Sequence, residues 1–470
     1  MSVHGDSAVV IGGSVVGMMA AGVLSKHFDT VTVIEQDEMV PGKTERRGVP
    51  QTHHLHGLYQ LGVASLDEIF GDFTGAMLER GAPHYDPARE LGFFFPEGWM
   101  RRSPSSLRKI EGSRWTIERV IRDLAGQIPN VGYCLGRATG LAARNGRIVG
   151  VRVQDEGSGS AAVVSGDLVV DASGRGSRAP GWLEELGFAP PEETIVQPFL
   201  GYATVHCEVP EDAWPGDIRV IVAPPFPGTS TRGGFIAPIE DGLVGFMAAG
   251  TAKDYPPAEE VGFTEFLRTA RTPVMYEMWL RAKPQTQLKS TRTSVNRLRH
   301  WDQLPDRPLG FLPLGDAVAA FNPVYGQGIS VGAFQATALA AQLRESDRLD
   351  DANVRFFDDV MAACAYAWSS ATGTDLGFAS TRVQGKPLPP QDPAAAEYGL
   401  HVRALTTTDA YVAQEFHRAM GDMRPELLDT PEIRRRVQRW AANPQPLGGE
   451  VARPPLWADS EPPHPDDDLG

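Results

Sequence analysis

The chain begins with a short apolar run, Ala8-Val9-Val10-Ile11, then a glycine-rich turn from Gly12 to Gly17, a stretch of helical period over residues 18–26 and a β-branched run, Val31-Thr32-Val33-Ile34. Short apolar runs bounded by turn residues read as buried strands, and the 3.6-residue period between them as a helix. The pattern predicts a βαβ unit. Further along, an amphipathic helix is expected over 115–125, and strand-like runs at 148–153 and 162–164 flank a loop of hairpin composition, Asp155-Glu156-Gly157-Ser158-Gly159-Ser160. Residues 167–171 and 309–314 read as two more buried strands, and a helix is expected over about 328–344. From about 196 to 250, β-like runs separated by clusters such as Pro224-Pro225-Phe226-Pro227-Gly228 predict a small antiparallel sheet. The rest, to about residue 440, is mostly helical in pattern. Its Arg434-Arg435-Arg436 run reads as a solvated helix face. The proline-rich segment ending in Asp466-Asp467-Asp468 predicts a mobile tail.

Composition narrows the classes. At 470 residues the chain exceeds what one core organises, and about 150 residues per domain suggests two or three units. Apolar residues at 42% and charged residues at 22% exclude a disordered or fibrous protein. The net charge of −15 would repel nucleic acid and anionic lipid, although Asp459, Glu461 and Asp466 to Asp468 put much of the excess in the tail. Cys134, Cys207 and Cys364 are scattered, without zinc or redox spacing, which fits buried thiols and a reducing cytosol. The uncharged stretch 7–25 imitates a membrane span, but glycines crowd its first half and no basic residue precedes it, so a buried strand, turn and helix are expected.

Three motifs carry candidate chemistry. Gly12-Gly13-Ser14-Val15-Val16-Gly17 places small residues where a dinucleotide fold needs a tight turn, close approach to pyrophosphate and helix–strand contact. Glu35, at the end of the second strand, stands where an acid binds ribose hydroxyls. A glycine turn serving packing alone is the alternative. Gly315-Asp316-Ala317 is followed by Pro323-Val324-Tyr325-Gly326-Gln327-Gly328 and a helix. An acid beyond a strand can bind a sugar or ribityl hydroxyl, and glycines at a helix start leave N–H groups for an anion. Asp316 as a helix cap is the alternative. Asp167-Leu168-Val169-Val170-Asp171-Ala172-Ser173-Gly174-Arg175-Gly176-Ser177-Arg178, a strand-terminal acid followed by small residues, again suggests close backbone approach, or else an ordinary turn.

In this order and at these separations the motifs resemble those of single-chain FAD monooxygenases of the para-hydroxybenzoate hydroxylase fold, over about residues 7–440. The run Arg46-Arg47-Gly48-Val49-Pro50-Gln51-Thr52-His53-His54-Leu55-His56 is similar to one in an actinobacterial group that includes polyether epoxidases. Ser113-Arg114 with Ile117-Glu118 resembles that group's helix start, whose arginine contacts FAD, and residues 319–328 match it too. The imidazoles of His53, His54 and His56 have no carboxylate or cysteine at ligand spacing, so no metal is expected.

The resemblance implies an α/β fold. A Rossmann-like FAD-binding domain of the glutathione-reductase type is expected from residues 1–75, 105–185 and 300–345, with an inserted antiparallel-sheet substrate domain (76–104 and 186–299), a C-terminal helical region (346–440) and a flexible acidic tail (441–470). Motifs and resemblance together give Gly12, Gly13, Ser14, Gly17, Glu35, Arg47, Gln51, His54, Arg114, Asp171, Asp316, Pro323, Gly326, Gln327 and Gly328 as cofactor-binding candidates. Phe235, Phe246 and Met247 are candidates for substrate contact, with core packing as the alternative. The implied activity is insertion of one oxygen atom from O2, through a flavin C4a-hydroperoxide, into an alkene or aromatic carbon of an apolar natural product of polyketide or terpenoid type, by epoxidation or hydroxylation. The alternatives are a flavin-dependent dehydrogenase or oxidase, a halogenase, which should show a Trp-x-Trp-x-Ile-Pro signature, or a non-catalytic flavin-fold binding protein. Electrons would come from NADPH or NADH, directly or through a flavin reductase, since no second dinucleotide motif is visible. A cytoplasmic protein with no membrane span and no nucleic-acid partner is expected.

Overall fold

The computed structural model describes residues 4–38, 55–155, 159–444 and 454. Arg47, Gln51 and His54, and nearly all of the expected tail, lie outside these residues.

The first expected unit forms as strand β1 (Gly5–Ile11), helix α1 (Val15–Leu24) and strand β2 (Phe28–Glu35). β1 and β2 pair in parallel, with Val10 opposite Val33. Strand Leu168–Asp171 joins the other side of β1, Phe311–Pro313 lies beyond it, and Val131–Leu135 flanks β2. All pairings in this five-stranded sheet are parallel, so the sheet must be covered on both faces, which is why its inner strands read as unbroken apolar runs rather than alternating ones. Nearly every residue of α1 is buried for the same reason: the helix lies between the sheet and the helices Arg114–Ala125 and Gly328–Glu345. The hairpin expected around residue 157 is present as Arg147–Gln154 and Ala161–Ser165, extended by Arg137–Arg144 into a three-stranded meander.

The second sheet has ten strands among the described residues and is built around the long strand Glu193–Glu208. Val244–Gly250 pairs with that strand, Arg232–Pro238 lies beyond, then Val220–Ala223 and Leu91–Phe95. One contribution comes from a stretch that reads as helical: Arg382–Gly385 adds antiparallel to residues 194–197. Helices Glu260–Arg268 and Val274–Trp279 cover one face of this sheet through Phe263, Phe266 and Met275.

The arginine run corrects one expectation. Arg434 and Arg435 are exposed, but Arg436 is buried, held by Asp409 at 2.8 Å and Glu432 at 2.7 Å. On a helix, residue 436 points about 100° away from residue 435, enough to move it from the solvent side to the seam with helix Ala410–Gly421. Among the described residues no helix is long and apolar enough to cross a membrane; the uncharged stretch 7–25 is instead spent on β1, the glycine turn and α1.

Candidate functional site

A cavity of about 600 Å³ opens at the C-terminal ends of the parallel strands, where an open α/β sheet is expected to bind its ligand. Its wall is made by the three motifs. Gly12 adopts φ +99°, and a Cβ there would lie 2.6 Å from the Ala172 carbonyl oxygen, so only glycine lets the turn pass the neighbouring strand end. Gly17 faces inward and allows α1 to close on this turn. Ser14 precedes α1 and its hydroxyl accepts from Arg114 Nη2 at 3.1 Å, while Arg114 Nε meets Glu118 at 3.4 Å. Arg114 is presented by the first turn of its own helix, whose N-cap Ser113 accepts from the Thr116 N–H.

Glu35 is buried on the opposite wall. Its Oε2 accepts from the Gly13 N–H at 2.8 Å and its Oε1 from the Asp37 N–H at 2.9 Å. Gly13 itself is thus turned toward Glu35 rather than forming the wall. Asp316 sits one turn beyond strand Phe311–Pro313, and Gly315 before it is anchored by its N–H to Gln335 Oε1. The Asp316 side chain keeps 30% exposure and faces Arg175 Nε at 3.8 Å. Burial pushes its carboxyl up from the ordinary aspartate value, while Arg175, Arg114 and Arg297 pull it down.

Segment 322–328 completes the wall with Asn322, Pro323, Gly326, Gln327 and Gly328. Gly326 takes the left-handed φ of +65°, and helix Gly328–Glu345 starts there with no side-chain cap and no acid in its first turn. α1 also begins at the wall without an acid. Two uncapped helix starts leave N–H groups aimed at an anion. Gln327 Oε1 is buried and has no hydrogen-bond partner among the described residues.

Two sequence expectations are corrected. Asp171 does not reach the cavity: it is fully buried, and its carboxylate accepts from Ser173 N–H at 3.0 Å, from the Ser173 hydroxyl and from the Ser177 hydroxyl. It shapes the turn whose later residues, Ser173, Gly174 and Arg175, form the wall. Phe246 also points away. Strand neighbours alternate faces, and Phe246, opposite Ile236, lies under the helices with Phe263 and Trp279. Phe235 and Met247, opposite each other, share the other face with Leu55, Leu200, Tyr202, Val324 and Tyr325. Val324 and Tyr325 lie in sequence between cavity-lining residues, so one segment, 322–328, serves both the cavity and this apolar face.

A pair of substitutions separates the two phenylalanines. Phe235→Ala should raise the KM for an apolar substrate severalfold with little change in unfolding midpoint, whereas Phe246→Leu should cost up to about 1.5 kcal/mol and leave KM unchanged. Steady-state kinetics and urea unfolding check both.

Arg137 and Trp182 line the cavity without having stood out in the sequence; Arg178, which ends the third motif, and His56, weighed there only as a metal ligand, line it too. Gln335 was equally silent, being one polar residue in an apolar helix, yet it holds Gly315 through Oε1 and meets Cys364 Sγ through Nε2. Burial pushes the Cys207 and Cys364 thiols up to about 12, as inert structural cysteines require.

FAD fits this wall on its own terms. Glu35 and Asp316 can accept from sugar-type hydroxyls at separate places, the two helix starts and Arg114 suit phosphate, and the orphaned Gln327 Oε1 calls for an N–H donor of the kind a flavin ring supplies.

No family model matches the chain. It is 32% identical to Protein Rv3254 of Mycobacterium tuberculosis over 353 residues, 72% of this chain and 73% of that one. It is 25% identical to kynurenine 3-monooxygenase of Salinispora arenicola over 350 residues, 69% of each. Among solved structures, a triple mutant of the flavin-dependent brominase Bmp2 superposes with a TM-score of 0.63 at 15% identity, covering 93% of this chain and 99% of its own. The brominase likeness speaks for the fold, and the sequence likeness for descent: the chain belongs to one family with Protein Rv3254 and shares the fold of FAD-dependent monooxygenases and halogenases.

Proposed function

We propose that the chain inserts one oxygen atom from O2 into an alkene or aromatic carbon of an apolar natural product, of polyketide or terpenoid type. The observation that supports this reading is that segment 322–328 serves both places: Asn322, Pro323, Gly326, Gln327 and Gly328 line the cofactor cavity, while Val324 and Tyr325 pack in the apolar cluster with Phe235, Met247 and Leu200. Bound flavin, once reduced, supplies the activation of O2. The chain's own residues bind, orient and keep out water, which is why no nucleophile or carboxylate pair is needed. Ser14, Glu35, Arg114, Asp316, Gln327 and the glycines at 12, 326 and 328 are assigned to hold FAD. Arg47, Gln51 and His54 are assigned there from the family resemblance alone.

Halogenation is not favoured, although a brominase shares the fold. No two of the nine tryptophans stand two residues apart, so the Trp-x-Trp-x-Ile-Pro signature is absent from the sequence. NADPH or NADH is the proposed electron source, either directly or through a flavin reductase, in a cytoplasmic setting.

The test uses the full chain loaded with FAD. Stopped-flow bleaching of the flavin by NADPH, with and without a reductase, identifies the electron route. Turnover under oxygen-18 gas is expected to put one labelled atom into the product. An oxidised product without label would replace oxygen insertion by dehydrogenation.

A further inference from the structure

Asp375, on helix Ala365–Leu376 of the C-terminal region, is almost completely buried, yet its nearest partners are neutral. The Tyr325 hydroxyl donates to Oδ1 at 2.7 Å; Asn296 Nδ2 donates to Oδ2 at 2.6 Å and Asn322 Nδ2 to the same oxygen at 3.5 Å. Burial pushes the carboxyl up to about 6 and these three donors hold it down; no cation contributes among the described residues. A buried carboxyl without a counter-cation is costly and adds little to stability, so its partners identify what it serves.

All three partners lead to the same segment. Asn322 and Tyr325 belong to it, and Asn296, from strand Lys289–Arg299, accepts the Asn322 N–H at 2.6 Å through its own Oδ1. The Asn322 side chain in turn accepts from the Val324 N–H at 3.4 Å, and the Tyr325 carbonyl accepts from the Tyr59 hydroxyl at 3.0 Å. This segment has two working surfaces. Asn322, Pro323, Gly326 and Gln327 line the cofactor cavity, while Val324 and Tyr325 sit in the apolar face with Leu200, Tyr202 and Met247. Tyr325 is the joint, its ring on the substrate side and its hydroxyl on Asp375.

We propose that Asp375 is a positioning residue for the cofactor: through Tyr325, Asn322 and Asn296 it fixes the segment that forms both a wall of the flavin cavity and an edge of the substrate face. The inference rests on the flavin reading above. It gives the C-terminal helices a role in the chemistry, since the carboxyl reaches the site from a region that does not line the cavity. It also requires that disturbing the clamp move cofactor retention and substrate KM together.

The full-length protein is titrated with FAD, and flavin fluorescence, the shape of the visible band, the midpoint potential and substrate KM are read for the wild type and three variants. Asp375→Ala is expected to weaken FAD about tenfold, to shift the band and potential and to raise KM. Tyr325→Phe removes one bond only and should move all four readouts in the same direction by less. Asp375→Asn keeps an acceptor oxygen and should recover most of the loss. If Asp375→Ala does not fold, Tyr325→Phe decides. Wild-type affinity, spectrum, potential and KM in Tyr325→Phe, together with the same in Asp375→Ala where that variant folds, would overturn the proposal. A wild-type chain that takes up no FAD would overturn the flavin reading itself, and this one with it.

Discussion

Gly17→Val should give a chain that retains no flavin and unfolds about 3 kcal/mol more easily than the wild type. A Cβ at position 17 would lie 1.8 Å from the Gly12 carbonyl oxygen. The obstacle is backbone, so no rotamer relieves it: either α1 tilts away from β1 or the turn opens. Both moves break what the glycines achieve together. Tilting α1 separates a helix buried along nearly its whole length from the sheet, and opening the turn carries Ser14 and the helix start away from Arg114. Gly132 is the control. A Cβ there meets nothing within 4 Å, so Gly132→Ala should leave the flavin content unchanged and alter stability by less than about 0.5 kcal/mol. Urea unfolding and the flavin-to-protein ratio after gel filtration distinguish the two variants.

The same contrast explains which parts of the fold were legible from sequence. β1, α1 and β2 declare themselves because they follow one another directly and their patterns differ, a short unbroken apolar run for each buried strand and a 3.6-residue period for the helix. The sheet that assembles around them draws strands from residues 168–171 and 311–313, which read as buried because a parallel strand is apolar on both faces, and from 131–135, which went unread because at the sheet edge it leaves Tyr133 and Leu135 exposed. Arg382–Gly385 escaped notice. It is four exposed residues in a helical stretch, and only the long strand beside it makes it a strand at all.

The site divides in the same way. Residues whose role depends on local backbone geometry, such as Gly12, Gly17 and Gly326, could be read directly. Residues whose role depends on parity or on a distant partner could not. Phe246 and Met247 are adjacent and equally apolar, and only the pairing register sends one beneath the helices and the other to the opposite face, with Leu200 and Val324. Asp171 ends its strand as a binding acid would, yet two serines within six positions capture both its oxygens. Asp375 lies far from any motif, and its meaning comes only from meeting Asn296, Asn322 and Tyr325 in space.

Asp316→Ala is the second large effect, and it should act on the cofactor rather than on the fold. Little of the structure depends on this carboxylate. Its cation neighbour Arg175, 3.8 Å away, is held independently by the carbonyls of Val295 and Phe321. The turn around it is closed by backbone bonds, Ala317 N–H to Leu314 and Val318 N–H to Gly315. The alanine variant should therefore unfold at nearly the wild-type denaturant concentration. What it lacks is an acceptor for a sugar or ribityl hydroxyl at the end of strand Phe311–Pro313. The loss also leaves Arg114, Arg175 and Arg297 without the negative charge at their centre. A hydrogen bond to a charged group is worth about 1.5–3 kcal/mol, so FAD should bind about a hundredfold more weakly and be lost on gel filtration. Asp316→Asn keeps a neutral acceptor and should fall between. Full flavin occupancy in Asp316→Ala, with the unfolding midpoint unchanged, would remove Asp316 from the cofactor site and leave its role as a turn residue alone.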